Sequence, residues 1–196
     1  MEAHSFTRIV AYIVDLIIVS LFLTIITYWI PVSKEYEESV KGQNELVDKY
    51  DVKGADMGAF AKEYYEYEYS INKETMVFSV LSVIVSIGYY GTFAFYYNGQ
   101  TFGKKLCKIK IVDSDGKDAS HLSMILRASL VSGSLFSIFN ILFLFIANKS
   151  NYMYYYLPVQ IISSLFLIVS ALMIIISKKR KGIHDYLFKT KVIETK

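Results

Sequence analysis

Residues 6–31 read FTRIVAYIVDLIIVSLFLTIITYWIP. From Ile9 to Ile30 the run is almost wholly apolar, and at 1.5 Å per residue it is long enough to cross the hydrocarbon of a bilayer as a helix. It is headed by Arg8 and interrupted by Asp15. An aspartate near the hydrocarbon centre costs roughly 3 kcal/mol on insertion scales, so its presence asks for a use. The run exceeds the roughly 7–15 residues of a signal-peptide core, and no small-residue cleavage site follows it. It reads as a retained helix.

The rest of the chain extends that reading. Of 196 residues, 54% are hydrophobic and 20% charged, and the mean hydropathy is +0.35. A soluble domain of this length has too little interior to hide so much apolar surface. Three further stretches have the length of a span: Met76–Tyr97, Ala128–Ala147 and Tyr152–Ser177, none of which holds Asp, Glu, Lys or Arg. The expected fold is therefore an all-α membrane protein, a bundle of four transmembrane helices. It forms a single membrane domain over 1–196, with an acidic extracytoplasmic insertion at 31–75.

Charge sets the expected orientation. Pro31–Thr75 carries six lysines against eleven acids, a net charge of −5. The loop 98–121 carries Lys104, Lys105, Lys108, Lys110 and Lys117, and seven basic residues follow Ser177. Lys and Arg near helix ends stay in the cytoplasm, so both termini and the 98–121 loop belong inside and 31–75 outside. Tyr28, Trp29, Tyr96, Tyr97 and the NYMYYYLP run at 151–158 fit interfacial anchoring. Within 31–75, AFAKEYYEYEYS has helical spacing and could continue the second helix outward or lie at the headgroups.

The inner loop reads NGQTFGKKLCKIKIVDSDGKDAS at 98–120. Its glycines and lysines do not have the spacing of a Walker phosphate loop. Gly99 and Gly103 suit a backbone turn, with Lys104 and Lys105 at the headgroups. KIKIV (108–112) is rich in β-branched residues and meets the turn signal DSDG, and the tail holds a second such run, KTKVIE (189–194). These two runs are expected to pair as a small cytoplasmic two-stranded β element that closes the tail on the loop. In the third span, Ser129, Gly133 and Ser137 recur every four residues, a stripe that suits close helix packing in lipid.

Catalytic and metal chemistry find little support. His4, His121 and His184 are scattered without ligand spacing, and no embedded serine has an identifiable base. His184 reads as a lone interface histidine. The single cysteine, Cys107, leaves neither an internal disulfide nor a cysteine-based metal site. The reading is of no enzyme, no cofactor and no nucleic-acid partner. The lipid bilayer is the one partner implied directly, with a homodimer or another membrane protein beside it.

Three pieces of the sequence then coincide: Arg8 and Asp15 in the first helix, Gly99-Gln100-Thr101-Phe102-Gly103-Lys104 in the inner loop, and Gly182-Ile183-His184-Asp185 in the tail. Together they resemble the RDD family of bacterial membrane proteins, named for one arginine and two aspartates. By that resemblance Arg8 is the arginine, Asp15 the first aspartate and Asp185 the second, and Arg127 falls where the family tends to place an arginine at the start of a later helix. The resemblance implies a bacterial cell membrane and suspected transport, with sodium–proton exchange attributed to some members.

Geometry narrows what these charges can do. Arg8 and Asp15 are seven residues apart, about 10.5 Å along the axis, whereas helical pairs that touch are three or four apart. Arg8 is therefore expected to pair with Asp185, stapling the tail to the first helix. Asp15, roughly 12 Å inside the membrane, is expected to form a polar site with Arg127. Two functions stay open. In one, Asp15 is the carboxylate of a cation/proton transport site, in a dimer because no internal inverted repeat supplies a pathway. In the other, the charges fix helix register and the protein acts as an accessory, regulatory or immunity factor on another membrane protein. Gln160 and Asn140 both lie toward the outer half, so no continuous polar path is evident.

Overall fold

A computed structural model describes residues 1–50 and 56–195. The chain is mostly helical. Helix α1 spans Ser5–Thr27, α2 Lys34–Tyr50, α3 Met57–Glu74 and α4 Met76–Tyr96. A short helix α5 (Phe102–Leu106) leads to strand β1 (Ile109–Asp113). Helices α6 (His121–Val131), α7 (Ser134–Ile146) and α8 (Tyr152–Ile176) follow, then a short α9 (Ile183–Leu187) and strand β2 (Thr190–Glu194).

Helices α1, α4 and α8 are each long and apolar enough to cross a membrane. The third expected span is not one straight helix. It is the pair α6 and α7, bent by 70° at Ser132-Gly133. The cause is local: Gly133 sits at φ +74°, a left-handed conformation that ends α6 and directs α7 elsewhere. The small-residue stripe Ser129–Gly133–Ser137 is therefore no continuous packing face. A Cβ at Gly133 would meet nothing within 4 Å. Gly133→Ala should therefore cost only the strain of the left-handed backbone, about 1 kcal/mol. Chemical unfolding in detergent would measure that cost.

Helix α4 is also irregular. Gly88–Phe93 is wound as a π-helix, which changes the direction of successive side chains within one turn. Within that turn Gly91 lets α4 approach α6 closely. A Cβ there would stand 3.1 Å from Ile125 Cα and 3.3 Å from Ala128 Cβ.

The two strands pair antiparallel, as the sequence suggests, with Ile109 opposite Glu194, Ile111 opposite Val192 and Asp113 opposite Thr190. The N-terminus adds a bridge from Glu2 to Ile193, and the Ala3 amide donates to the Val192 carbonyl at 3.0 Å. Ile109, Ile111 and Val192 point into one core with Ala3, Ala11, Ala94 and Met124. The sheet thus holds the tail, the loop and the start of α1 together. The DSDG turn does not form a hairpin between the strands. Asp113 Oδ1 accepts the amides of Asp115 and Lys117 there, and the chain turns toward α6.

The 31–75 insertion is a helical hairpin of α2 and α3 in its described residues, and its tip at 51–55 lies outside them. Asp56 caps α3 by accepting the amides of Gly58 and Ala59. Gln43 Nε2 donates to Glu68 across the hairpin at 3.0 Å, and Tyr156 Oη of α8 donates to the same carboxylate at 3.2 Å. Tyr152 is fully buried against Tyr69 and Tyr156, so this part of the tyrosine-rich run packs on protein. Tyr28 and Trp29 are about four-fifths exposed, as interfacial anchors would be.

Candidate functional site

Two fully buried aspartates organise the end of the bundle that carries the sheet. Asp15 comes from α1. Its partners come from α4 and from the segment that folds back under α1. Asp15 Oδ1 accepts Tyr89 Oη at 2.6 Å and the Gly103 amide at 2.7 Å. Asp15 Oδ2 accepts Thr101 Oγ1 at 2.5 Å and Lys104 Nζ at 3.3 Å. Four donors thus occupy a carboxylate that has about four acceptor positions.

Each partner has a local reason to be there. Thr101 is the N-cap of α5 and accepts the Lys104 amide. Lys104 lies three residues on, so its ammonium also donates to Thr101 Oγ1 at 3.1 Å. Gly103 permits the approach of α5 to α1, because a Cβ at that position would stand 2.8 Å from Asp15 Cγ. Tyr89 is delivered by the π-wound turn of α4, and its hydroxyl accepts the Phe102 amide at 3.1 Å.

Asp185 belongs to α9. Its Oδ2 accepts Arg8 Nη2 at 2.6 Å and the Gly182 amide at 3.2 Å. Its Oδ1 accepts Arg127 Nε at 3.1 Å and Thr190 Oγ1 at 3.2 Å. Arg8 Nη1 donates to the Arg180 carbonyl. One carboxylate therefore joins α1, α6 and β2 to the tail. Beside it His184 Nδ1 lies 2.9 Å from Ser170 Oγ of α8. Burial, with Arg127 next in effect, pushes the His184 pKa down to about 3, so its imidazole is neutral. Burial alone would raise the Asp185 pKa, but the Arg127 and Arg8 guanidinium groups outweigh it and hold the carboxyl well below its ordinary value.

The expected site residues are therefore distributed between two centres. Arg8 stands against Asp185. Arg127 does not reach Asp15, because it enters from α6 beside α9 and gives its Nε to Asp185. The cation at Asp15 is Lys104, whose side chain is only 12% exposed. Thr101 and Gly103 converge on Asp15 as well. Gly99 does not: at φ +81° it turns the chain, and its carbonyl accepts the Ile111 amide at 2.8 Å. Sequence reasoning missed Tyr89. The available signal was a Tyr-Tyr pair between Gly88 and Gly91 inside an apolar span, where a phenol needs a partner.

Lys104 differs from an ordinary lysine. Burial brings its pKa from 10.5 down to about 8, with Asp15 holding it from falling further. Its ammonium can thus release a proton near neutral pH. A cavity of about 430 Å³ lies between α1, α6, α8 and the sheet, and Lys104, Arg8 and Arg127 all line it.

A family model described as RDD family matches residues 3–189, nearly the whole chain. No curated protein and no solved structure matches it. The chain belongs to the RDD family.

Proposed function

We propose, taking that membership as the premise, that this is a multi-pass protein of a bacterial cell membrane that exchanges a small cation for a proton at the Asp15–Lys104 pair. In this reading α6 and α7 together form the third span, a broken one, which brings the spans to four, and both termini are cytoplasmic. Charge asymmetry supports the orientation, since the acidic hairpin lies at one side and the lysine-rich loop and tail at the other. The observation that carries the proposal is the pairing itself. A buried carboxylate is held by a lysine whose pKa is brought down to about 8 and whose side chain lines a cavity.

The exchange balances. With Lys104 protonated, the pair is neutral. A monovalent cation that takes the place of the ammonium at Asp15 Oδ2 leaves neutrality only if Lys104 gives up its proton. One cation in and one proton out keep the buried charge constant, and this avoids the desolvation cost of an unpaired ion.

Sealed liposomes with an internal pH dye test this. Wild type should move protons in response to sodium, potassium or lithium, and Asp15→Asn should abolish the movement. Lys104→Arg should abolish it too, because a guanidinium keeps its proton. The half-saturating cation concentration should rise about tenfold for each pH unit below about 8, as protons compete for the site. A wild type without flux under imposed gradients of all three cations would rule out exchange of those ions.

One observation favours the accessory reading. Both aspartates have their acceptor positions filled by protein donors, an arrangement suited to a rigid frame for a partner. Absence of flux together with copurification of one membrane protein would select it.

A further inference from the structure

The cavity has a charge balance that the two aspartates do not complete. Arg8, Lys104 and Arg127 line it, and the carboxylates that face them are Asp15 and Asp185. Three cations against two anions leave one positive charge in a largely buried place. Arg127 shows where that charge is unsatisfied. It is 6% exposed, and among the described residues its hydrogen bond is made by Nε alone. The two terminal nitrogens, with four N–H donors, have no protein acceptor there. A guanidinium presenting its terminal fork into a cavity is suited to a phosphate or carboxylate, which it can bind through two parallel hydrogen bonds.

Most of the remaining wall is apolar, with Tyr12, Ser170 and His184 as its polar members. Val131 of α6, with Leu167, Ala171 and Ile174 of α8, lines it, and Leu167 and Ala171 are also exposed on the outer surface of a helix long and apolar enough to span. The cavity thus has a cationic end and an apolar side continuous with the exposed apolar face of α8. At about 430 Å³ it has the size of an ordinary small-ligand pocket.

We infer that this cavity is a binding site for an anionic membrane lipid, its phosphate on the Arg127 fork and Lys104 and its acyl chain along α8. Charge complementarity selects the occupant. A zwitterionic lipid brings its own cation to a site that already has a surplus, and an uncharged acyl chain leaves the Arg127 fork unpaired. The site does not rest on cation exchange at Asp15, since Asp15 contributes only its charge.

The test is native mass spectrometry of the full chain released from detergent. It would be titrated separately with phosphatidylglycerol and with phosphatidylcholine of the same acyl chains, and with inorganic phosphate. One phosphatidylglycerol should be retained about tenfold more tightly than phosphatidylcholine. Ala171→Trp, which fills the apolar side and leaves every charge in place, should abolish that retention in a protein with unchanged helicity. Arg127→Lys keeps the charge and removes the fork, and should weaken retention of phosphatidylglycerol toward that of phosphatidylcholine. Equal retention of the two lipids by wild type overturns the inference, and so does undiminished phosphatidylglycerol binding by folded Ala171→Trp. Inorganic phosphate bound as tightly as the lipid would place the anion's source in water and overturn the lipid assignment. Should Arg127→Lys fail to fold, the wild-type lipid comparison and Ala171→Trp still decide.

Discussion

Asp185→Ala should destabilise the protein by about 3–5 kcal/mol or prevent its accumulation, because it leaves two buried guanidinium groups, Arg8 and Arg127, without their counter-charge. That is a large share of the roughly 5–15 kcal/mol by which folded proteins are stable. Asp185→Asn keeps one acceptor oxygen and nearly the same shape but removes the same counter-charge, so its cost should stay close to that of the alanine, about 3 kcal/mol. A double-mutant cycle between Arg8→Met and Asp185→Asn should show coupling, since the two side chains meet at 2.6 Å. Unfolding in detergent measures each of these. Simple additivity of Arg8→Met and Asp185→Asn would show that the pair contributes nothing as a pair.

The same centre should make the protein sensitive to acid. A carboxyl held below its ordinary value of 3.8 contributes stability that is fully present above that value and is lost as pH falls below it. His184 acts earlier and with the same sign. Its pKa is lowered from 6.5 to about 3, so below pH 6.5 the unfolded chain takes up a proton that the folded one refuses. Stability should therefore begin to decline below about pH 6.5 and fall further below about pH 4. The first part of that decline should disappear in His184→Gln, and its persistence there would remove His184 as the cause.

Much of the architecture could be read from residue patterns, and the limits have identifiable causes. Apolar length located α1, α4 and α8, because crossing hydrocarbon is a one-dimensional constraint. The β-branched runs at 108–112 and 189–194 could be matched because a strand in a small sheet needs a partner of like kind. The bend at Gly133 was not legible. Small residues every four positions look alike whether they line a packing face or contain a helix break, and the left-handed φ of Gly133 is what separates the two. The surroundings of Asp15 were hidden for a different reason. Tyr89, Thr101 and Lys104 lie 74, 86 and 89 residues from it in the chain. Their convergence depends on a π turn and on a backbone reversal at Gly99, neither of which leaves a periodic trace. Lys104 beside Lys105 reads as surface charge, and burial distinguishes the two: Lys104 faces Asp15 while Lys105 is exposed.

Gly103→Ala should be far more damaging than the same substitution at Gly133, with a cost of about 3 kcal/mol or more. Gly103 has no unusual backbone angle, so strain is not the mechanism. An added Cβ would overlap the Ala11 carbonyl oxygen and stand 2.8 Å from both Cγ and Oδ1 of Asp15. Neither neighbour can yield: the carbonyl is part of the α1 backbone, and the carboxylate is fixed by its four donors. Helix α5 would have to withdraw from α1. Withdrawal removes the Gly103 amide from Asp15 and carries Thr101 and Lys104 away with it, leaving a bare carboxylate inside the bundle. Any exchange at Asp15 should be lost together with stability, whereas Gly133→Ala should retain both apart from its small strain cost. Adding Asp15→Ala to Gly103→Ala should restore only part of the stability, because it removes the side-chain overlap and leaves the Ala11 carbonyl in place. If Gly103→Ala proved as mild as Gly133→Ala, α5 would not be packed against α1 in the membrane, and Asp15 would have to find its partners elsewhere.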